Sequence, residues 1–205
     1  MINIKTVKNK KELKKVFDFL SMTFYDDAKK NNEYYFTMSE RHMEMEKQLE
    51  VDNELLMYIE EDKKIIAAIT GKGMDTEKKK ITLGVIAIDP NYRKKGYAKA
   101  LINEFEKRCK DKGIKHIDLG ARFRACPLYI KLGYKPSLMI QVFDFANIDD
   151  VKKANKFNLK EDFSWQSDAY GFIFFEIDEI KEEYIDWFEQ NVKTAHAQYI
   201  FEKDL

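Results

Sequence analysis

The sequence predicts an α/β (α+β) fold, a mixed, mostly antiparallel central sheet flanked by helices and continued by a C-terminal β-α-β-α-β extension. Short apolar, β-branched runs such as LLMYIE, KIIAAIT and KITLGVIAID have the length and composition of strands. Elsewhere apolar residues recur every three or four positions, as on the buried stripe of a helix. The two signals alternate along the chain, the pattern of a layered domain in which helices make the crossovers.

Asn9 followed by Glu12 makes a capping box ahead of Leu13, Val16, Phe17 and Leu20, which places a first helix there. Ser39 is expected to cap a second helix running to about Leu49, with Met38, His42, Met45 and Leu49 on one stripe. Residues 55–60 and 64–70 flank the charged turn Glu61-Asp62-Lys63 and predict a β-hairpin. Residues 80–89 are nearly continuous in apolar side chains, as in a strand buried on both faces, with Gly84 as a bulge and Pro90 as its end. Tyr97, Ala98, Leu101, Ile102, Phe105 and Cys109 then mark the buried face of an amphipathic helix closed by Gly113. A strand over 116–119, a short helix over 125–132 and a strand over 136–145 follow. In the extension we expect a helix over 149–157, one aromatic strand over 163–177, a helix capped by Asp178 and a last strand over 198–201. Residues 1–146 are read as the main domain, and 147–205 as an extension packed on it or forming an oligomer interface.

The 36 Lys and Arg balance 36 Asp and Glu, so no net field draws nucleic acid, an anionic membrane or an acidic partner from a distance. No run reaches the length of a membrane span, and the start MINIKTVKNKKELKK lacks the apolar core of a signal peptide, so a cytoplasmic location is expected. Cys109 and Cys126 lie outside any C-x-x-C spacing, and His42, His116 and His196 are isolated. Neither a disulfide framework nor a metal site is expected.

The segment VIAIDPNYRKKGYAKALI places Arg93-x-x-Gly96-x-Ala98 between a strand and a helix. A loop that opens directly into a helix amino terminus supplies unpaired N–H donors and the positive end of the helix dipole, which suits a pyrophosphate. Gly96 lets backbone approach closely, Ala98 keeps the first turn small, and Arg93, Lys94 and Lys95 add charge at the rim. Alone, a basic glycine-containing loop is as well read as a solvated turn. Some thirty residues later, however, comes a second element, Leu128-Tyr129-Ile130-Lys131-Leu132-Gly133-Tyr134.

The pair resembles the two CoA-binding motifs of the GNAT acetyltransferase superfamily. The first, Q/R-x-x-G-x-G/A, is matched by Arg93 to Ala98; the second, an apolar or aromatic residue, Tyr, two variable residues and Leu-Gly-Phe/Tyr, by Leu128 to Tyr134. The motifs cover about residues 80–136, and the element order agrees to about residue 146. The resemblance implies that 1–146 is a GNAT-like acyl-CoA-binding catalytic domain with acetyl-CoA as co-substrate. It implies that backbone of Ile86, Ala87 and Ile88 meets the pantetheine arm, and that Arg93, Lys94, Lys95, Gly96, Tyr97 and Ala98 cradle the pyrophosphate. It also implies that Tyr129 protonates the departing thiolate, a role for which a phenol is suited; filling the core or orienting the sulfur is the alternative.

Where many members of the superfamily have asparagine seven residues before that tyrosine, this chain has Arg122. Arg122 or Arg124 can reach a phosphate or an acidic acceptor, but a solvated arginine is the simpler reading. Glu60 and Asp118 are candidates by position for a general base, each more simply a surface carboxylate, and His116 reads as structural. Cys126 carries no local sign of thiolate activation, which favours direct transfer over a covalent cysteine intermediate. The aromatics of the extension, among them Trp165, Tyr170, Phe172 and Trp187, read first as core, with an acceptor pocket or an oligomer interface as alternatives. The expectation is an N-acetyltransferase acting on a primary amine of a small molecule or peptide, with no metal, nucleic acid or membrane partner and with a homodimer allowed by a free sheet edge. A non-catalytic acyl-CoA-binding or sensing module is the alternative function.

Overall fold

The computed structural model describes residues 2–31, 38–143 and 147–205, and leaves the side chains of 25–31 and 38–39 undescribed. The expected Ser39 cap, the place of Met38 on its stripe and the last two residues of the strand expected over 136–145 lie outside this description. The chain divides into two compact units, Met1–Ile117 with Asp204–Leu205, and Asp118–Lys203.

The first unit comprises β1 (Ile4–Thr6), α1 (Lys10–Asn31), α2 (Met38–Val51), β2 (Leu56–Glu61), β3 (Lys64–Asp75), β4 (Lys80–Ile88) and α3 (Tyr97–Asp111), and ends in the first residues of β5 (His116–Ala121). Helix α1 starts as expected: the Glu12 N–H donates to Asn9 Oδ1 at 3.0 Å. The Glu12 carboxylate reaches back to the amide of Lys8, one residue earlier than a strict capping box requires. Strand β1, too short to show a period, was not expected; it pairs antiparallel with β2, Lys5 opposite Tyr58. The β2–β3 hairpin turns at Asp62 and Lys63, both with positive φ, as a two-residue turn between right-twisted strands demands.

Strand β3 runs past the expected residue 70 to Asp75, antiparallel to β4. Thr70 pairs with Val85 and Gly71 with Leu83, so Gly84 is the extra residue of a bulge. The bulge turns β4 over. Before it, Ile81 faces Phe105 of α3 across Gly71, where an added Cβ would lie 2.8 Å from Ile81 Cδ1 and 3.2 Å from Phe105 Cε2. Beyond it, Val85 and Ala87 pack with Leu13, Val16, Leu20 and Met45 of α1 and α2. Burial therefore alternates along β4 rather than running unbroken as its composition suggested, with Ile86 and Ile88 half-buried and Ala87 buried.

The second unit comprises most of β5, then α4 (Cys126–Lys131), β6 (Lys135–Phe143), α5 (Ile148–Ala154), β7 (Glu161–Gln166), β8 (Tyr170–Glu176), α6 (Glu182–Asn191) and β9 (His196–Asp204). Its strand order is β5-β9-β6-β8-β7, with β6 antiparallel to both β9 and β8, and β8 antiparallel to β7. Gly120 of β5 lies against Gln198 of β9, an added Cβ falling 2.4 Å from its Nε2. The last strand is thus interior to this sheet, between β5 and β6.

The single aromatic strand expected over 163–177 is a hairpin. The Ser167 hydroxyl accepts the N–H groups of Ala169 and Tyr170 and donates to the Tyr170 carbonyl, closing a side-chain turn that apolar periodicity does not reveal. Asp178 does not cap α6, which begins after Lys181; the Tyr199 hydroxyl accepts the Lys181 N–H at 3.0 Å and donates to its carbonyl at 2.6 Å. Phe175, Tyr184 and Phe188 are core, and Phe175 stacks on Phe188 at 5.7 Å. Phe163, Trp165 and Tyr170 are exposed. Among the described residues no helix is long and apolar enough to cross a membrane.

Candidate active site

In the first unit, β4 delivers the chain to the basic loop. Ile86, Ala87 and Ile88 pair with Ile69, Ala68 and Ala67 of β3. Asp89, which sequence reasoning did not single out, fixes the exit. Its N–H donates to the Ile66 carbonyl at 2.8 Å, its Oδ1 accepts the Asn91 N–H at 3.0 Å, and its Oδ2 accepts Lys64 Nζ at 2.7 Å. The Lys64 ammonium, with the Asn91 amide, holds the Asp89 carboxyl below its usual range. A 3-10 turn over Pro90–Tyr92 follows. The signal for Asp89 was available in sequence, since Asp-Pro with an amide two residues on is a turn-opening pattern.

The loop itself faces solvent from Arg93 to Gly96. Arg93 Nε donates to the Ile88 carbonyl at 3.3 Å, and Lys95 Nζ lies 4.8 Å from the centre of the Tyr92 ring. Lys94 has φ +63° and Gly96 φ +86°. The Tyr97 hydroxyl donates to Glu61, which anchors the first residue of α3 to the hairpin; that bond holds the phenol above its ordinary value. The first helical bond of α3 runs from Ala100 N–H to the Gly96 carbonyl at 3.0 Å, and no side chain caps the helix. The amides of Tyr97, Ala98 and Lys99 therefore have no intrahelical acceptor, and the positive end of the helix dipole meets the solvent at Gly96. A phosphate oxygen accepts from such amides without displacing any side chain.

In the second unit, Pro127 opens the short helix α4, and Gly133 at φ +83° ends it. Tyr129 is 3% exposed, its ring 5.8 Å from Tyr134 and 5.4 Å from Phe201. Among the described residues none hydrogen-bonds its hydroxyl. Burial pushes the phenol well above its ordinary value, so it is protonated at neutral pH. Cys126 donates to the Arg122 carbonyl at 3.4 Å, and burial raises its thiol to about 11. A neutral thiol is no nucleophile, in keeping with direct transfer.

Two of the other candidates are engaged elsewhere. Glu60 pairs with Lys5 at 3.0 Å, and His116 with Asp204 at 3.0 Å. Among the described residues no cluster of His, Cys, Asp and Glu could hold a metal ion.

The sequence model of the acetyltransferase (GNAT) family matches residues 14–134. No curated protein matches the sequence. Among solved structures, the chain is similar to the PaiA N-acetyltransferase of Thermoplasma acidophilum in complex with coenzyme A, at 16% identity and a TM-score of 0.52, over 85% of this chain and 99% of that one. It is similar to the ribosomal-protein-S18-alanine N-acetyltransferase of Escherichia coli at 14% identity and a TM-score of 0.52, over 87% and 97%. An N-acetyltransferase of Staphylococcus aureus Mu50 aligns at 19% identity and a TM-score of 0.51, over 87% and 98%. These likenesses show a shared fold.

Proposed function

The chain belongs to the acetyltransferase (GNAT) family, and on that premise we propose that it moves an acetyl group from acetyl-CoA directly to a primary amine of a small molecule or peptide. The observation that carries the reading is the uncapped start of α3 behind the left-handed Gly96. It supports a pyrophosphate site at Arg93 to Ala98, with the pantetheine arm along Ile86 to Ile88. Coenzyme A bound in the Thermoplasma acidophilum relative supports the same cofactor.

In this reading the free amine attacks the thioester carbonyl, the N–C bond forms, and the C–S bond breaks as the tetrahedral intermediate collapses. The amine loses one proton to water and the sulfur gains one from the Tyr129 hydroxyl, which is regained from solvent between turnovers. The raised value of that phenol keeps it in the donor form and makes complete ionisation costly, so the proton moves as negative charge develops on sulfur. Residues 1–146 carry the catalytic domain, and 147–205 the extension. The buried, unpaired Cys109 and Cys126 fit a cytoplasmic setting.

Tyr129→Phe tests the proton donor: kcat should fall at least about tenfold while the dissociation constant of acetyl-CoA changes little. Unchanged turnover removes Tyr129 from the mechanism. Binding of acetyl-CoA without CoA release in the presence of any amine would favour a sensing module instead.

A further inference from the structure

Within the first unit, Glu61 and Lys64 face each other across the two-residue turn of the β2–β3 hairpin. Residues directly opposed in an antiparallel pair project to the same side, and an opposite-charge pair placed there ordinarily bonds to itself. Among the described residues these two bond elsewhere. Lys64 Nζ reaches Asp89 Oδ2 at 2.7 Å, and the Glu61 carboxylate accepts the Tyr97 hydroxyl. Asp89 and Tyr97 are the residues on either side of the basic loop 90–96, so one tight turn holds both of its ends. Between those ends little else fixes the backbone. The Tyr92 N–H donates to the Asp89 carbonyl at 2.8 Å, but among the described residues no acceptor takes the amides of Lys94, Lys95 or Gly96. The Tyr97 ring lies 6.3 Å from that of Tyr92, on which Lys95 rests, so the Glu61 tether extends to the middle of the loop. Amides that bind an anion do so more tightly when the loop has its shape beforehand, because ordering on binding subtracts from affinity.

We propose that Glu61 and Lys64 are positioning residues for the cofactor: the closing pair of the hairpin clamps both ends of loop 90–96 and holds its amides in the arrangement that takes the pyrophosphate. The inference rests on the acetyl-CoA reading above. Neither side chain has to touch the cofactor. Charge makes the claim for Glu61 sharp. Removing a carboxylate near a pyrophosphate strengthens binding if only the field matters, and weakens it if the carboxylate is a tether.

Calorimetry on the full chain with coenzyme A, and competition by pantetheine, which has the thiol arm but no pyrophosphate, tests this without any acceptor. The parent should bind coenzyme A far more tightly than pantetheine. Glu61→Ala and Tyr97→Phe should each weaken coenzyme A at least about fivefold with pantetheine unchanged, and the double variant should be no weaker than either single one. Glu61→Gln, which keeps an acceptor oxygen, should bind as the parent does. Tyr97→Phe removes one hydroxyl, so it reads the tether even where Glu61→Ala fails to fold. Lys64→Met should weaken coenzyme A at least about threefold, and the loss should persist in about 1 M NaCl, which screens the through-space effect of an exposed ammonium. A loss that salt abolishes removes Lys64 from the clamp. Unchanged or tighter coenzyme A binding in Glu61→Ala or Tyr97→Phe, or equal losses for coenzyme A and pantetheine, overturns the clamp and leaves the pyrophosphate site standing. A parent that binds coenzyme A no more tightly than pantetheine overturns the pyrophosphate site and the clamp with it.

Discussion

Gly96 and the two cysteines show how much a single residue decides. An alanine at Gly96 would meet no atom within 4 Å, so its cost is conformational: φ is +86°, where an L side chain is strained by about 1–2 kcal/mol. Gly96→Ala should lower the melting temperature by several degrees and weaken acetyl-CoA binding, measurable by thermal shift and calorimetry. The cysteines predict the alkaline limb of stability. Burial raises Cys126 to about 11 and Cys109 to about 12, so between the ordinary thiol range and those values the unfolded chain has released protons that the folded chain retains. Stability from this source is intact below about pH 8.5 and is lost as pH rises toward 11. The fall in melting temperature between pH 8 and 10.5 should therefore be smaller in Cys126→Ala than in the parent. Asp89 acts at the other end: its lowered value means that its contribution is present above the usual carboxylate range and disappears as pH falls through the lowered one.

At the scale of elements, strands β3 and β5 predict opposite fates for two similar substitutions. Gly71→Ala puts a methyl group against Ile81, Phe105 and Leu55, all fully buried, and overpacking there should cost about 1–3 kcal/mol by urea denaturation. Gly120→Ala meets only the amide end of Gln198, which can swing aside, so the midpoint should barely move. Most elements were legible in sequence because periodicity and caps are local: the Asn9 cap, the Asp62-Lys63 turn, the Gly84 bulge and the start of α3 lie where the residues put them. What escaped depends on partners remote in sequence. Strand β1 exists through pairing with β2, the start of α6 is set by Tyr199, and the 167–169 turn is made by one serine hydroxyl. The basic loop from Arg93 to Gly96 was readable as a motif. Nothing in the spacing of Phe17, Glu44 and Thr70 announced that they would line one pocket, because α1, α2 and β3 meet only in three dimensions.

For the molecule as a whole, residues 147–205 are continuous with the sheet of the second unit rather than hung from its end. Strands β8 and β9 take both edges of β6, and β9 separates β6 from β5. A fragment ending at residue 146 should consequently lack cooperative thermal unfolding and give a poorly dispersed amide NMR spectrum. A folded, acetyl-CoA-binding fragment would show that β5 and β6 need no strand between them. Strand β7 lies at the edge of this sheet with Phe163 and Trp165 exposed, an arrangement that supports a homodimer through the extension. Light scattering should then report a dimer in the parent and a monomer in a Phe163→Glu, Trp165→Glu double variant.

The interior position of β9 also sets an order of events during synthesis. Every other strand of the second unit leaves the ribosome before the one that must lie between β5 and β6, so the emerging chain holds their apolar faces and unpaired edges open until β9 is free. Closure of such a sheet joins residues far apart in sequence, which makes it slow, and over that interval the nascent chain is a natural client for chaperones.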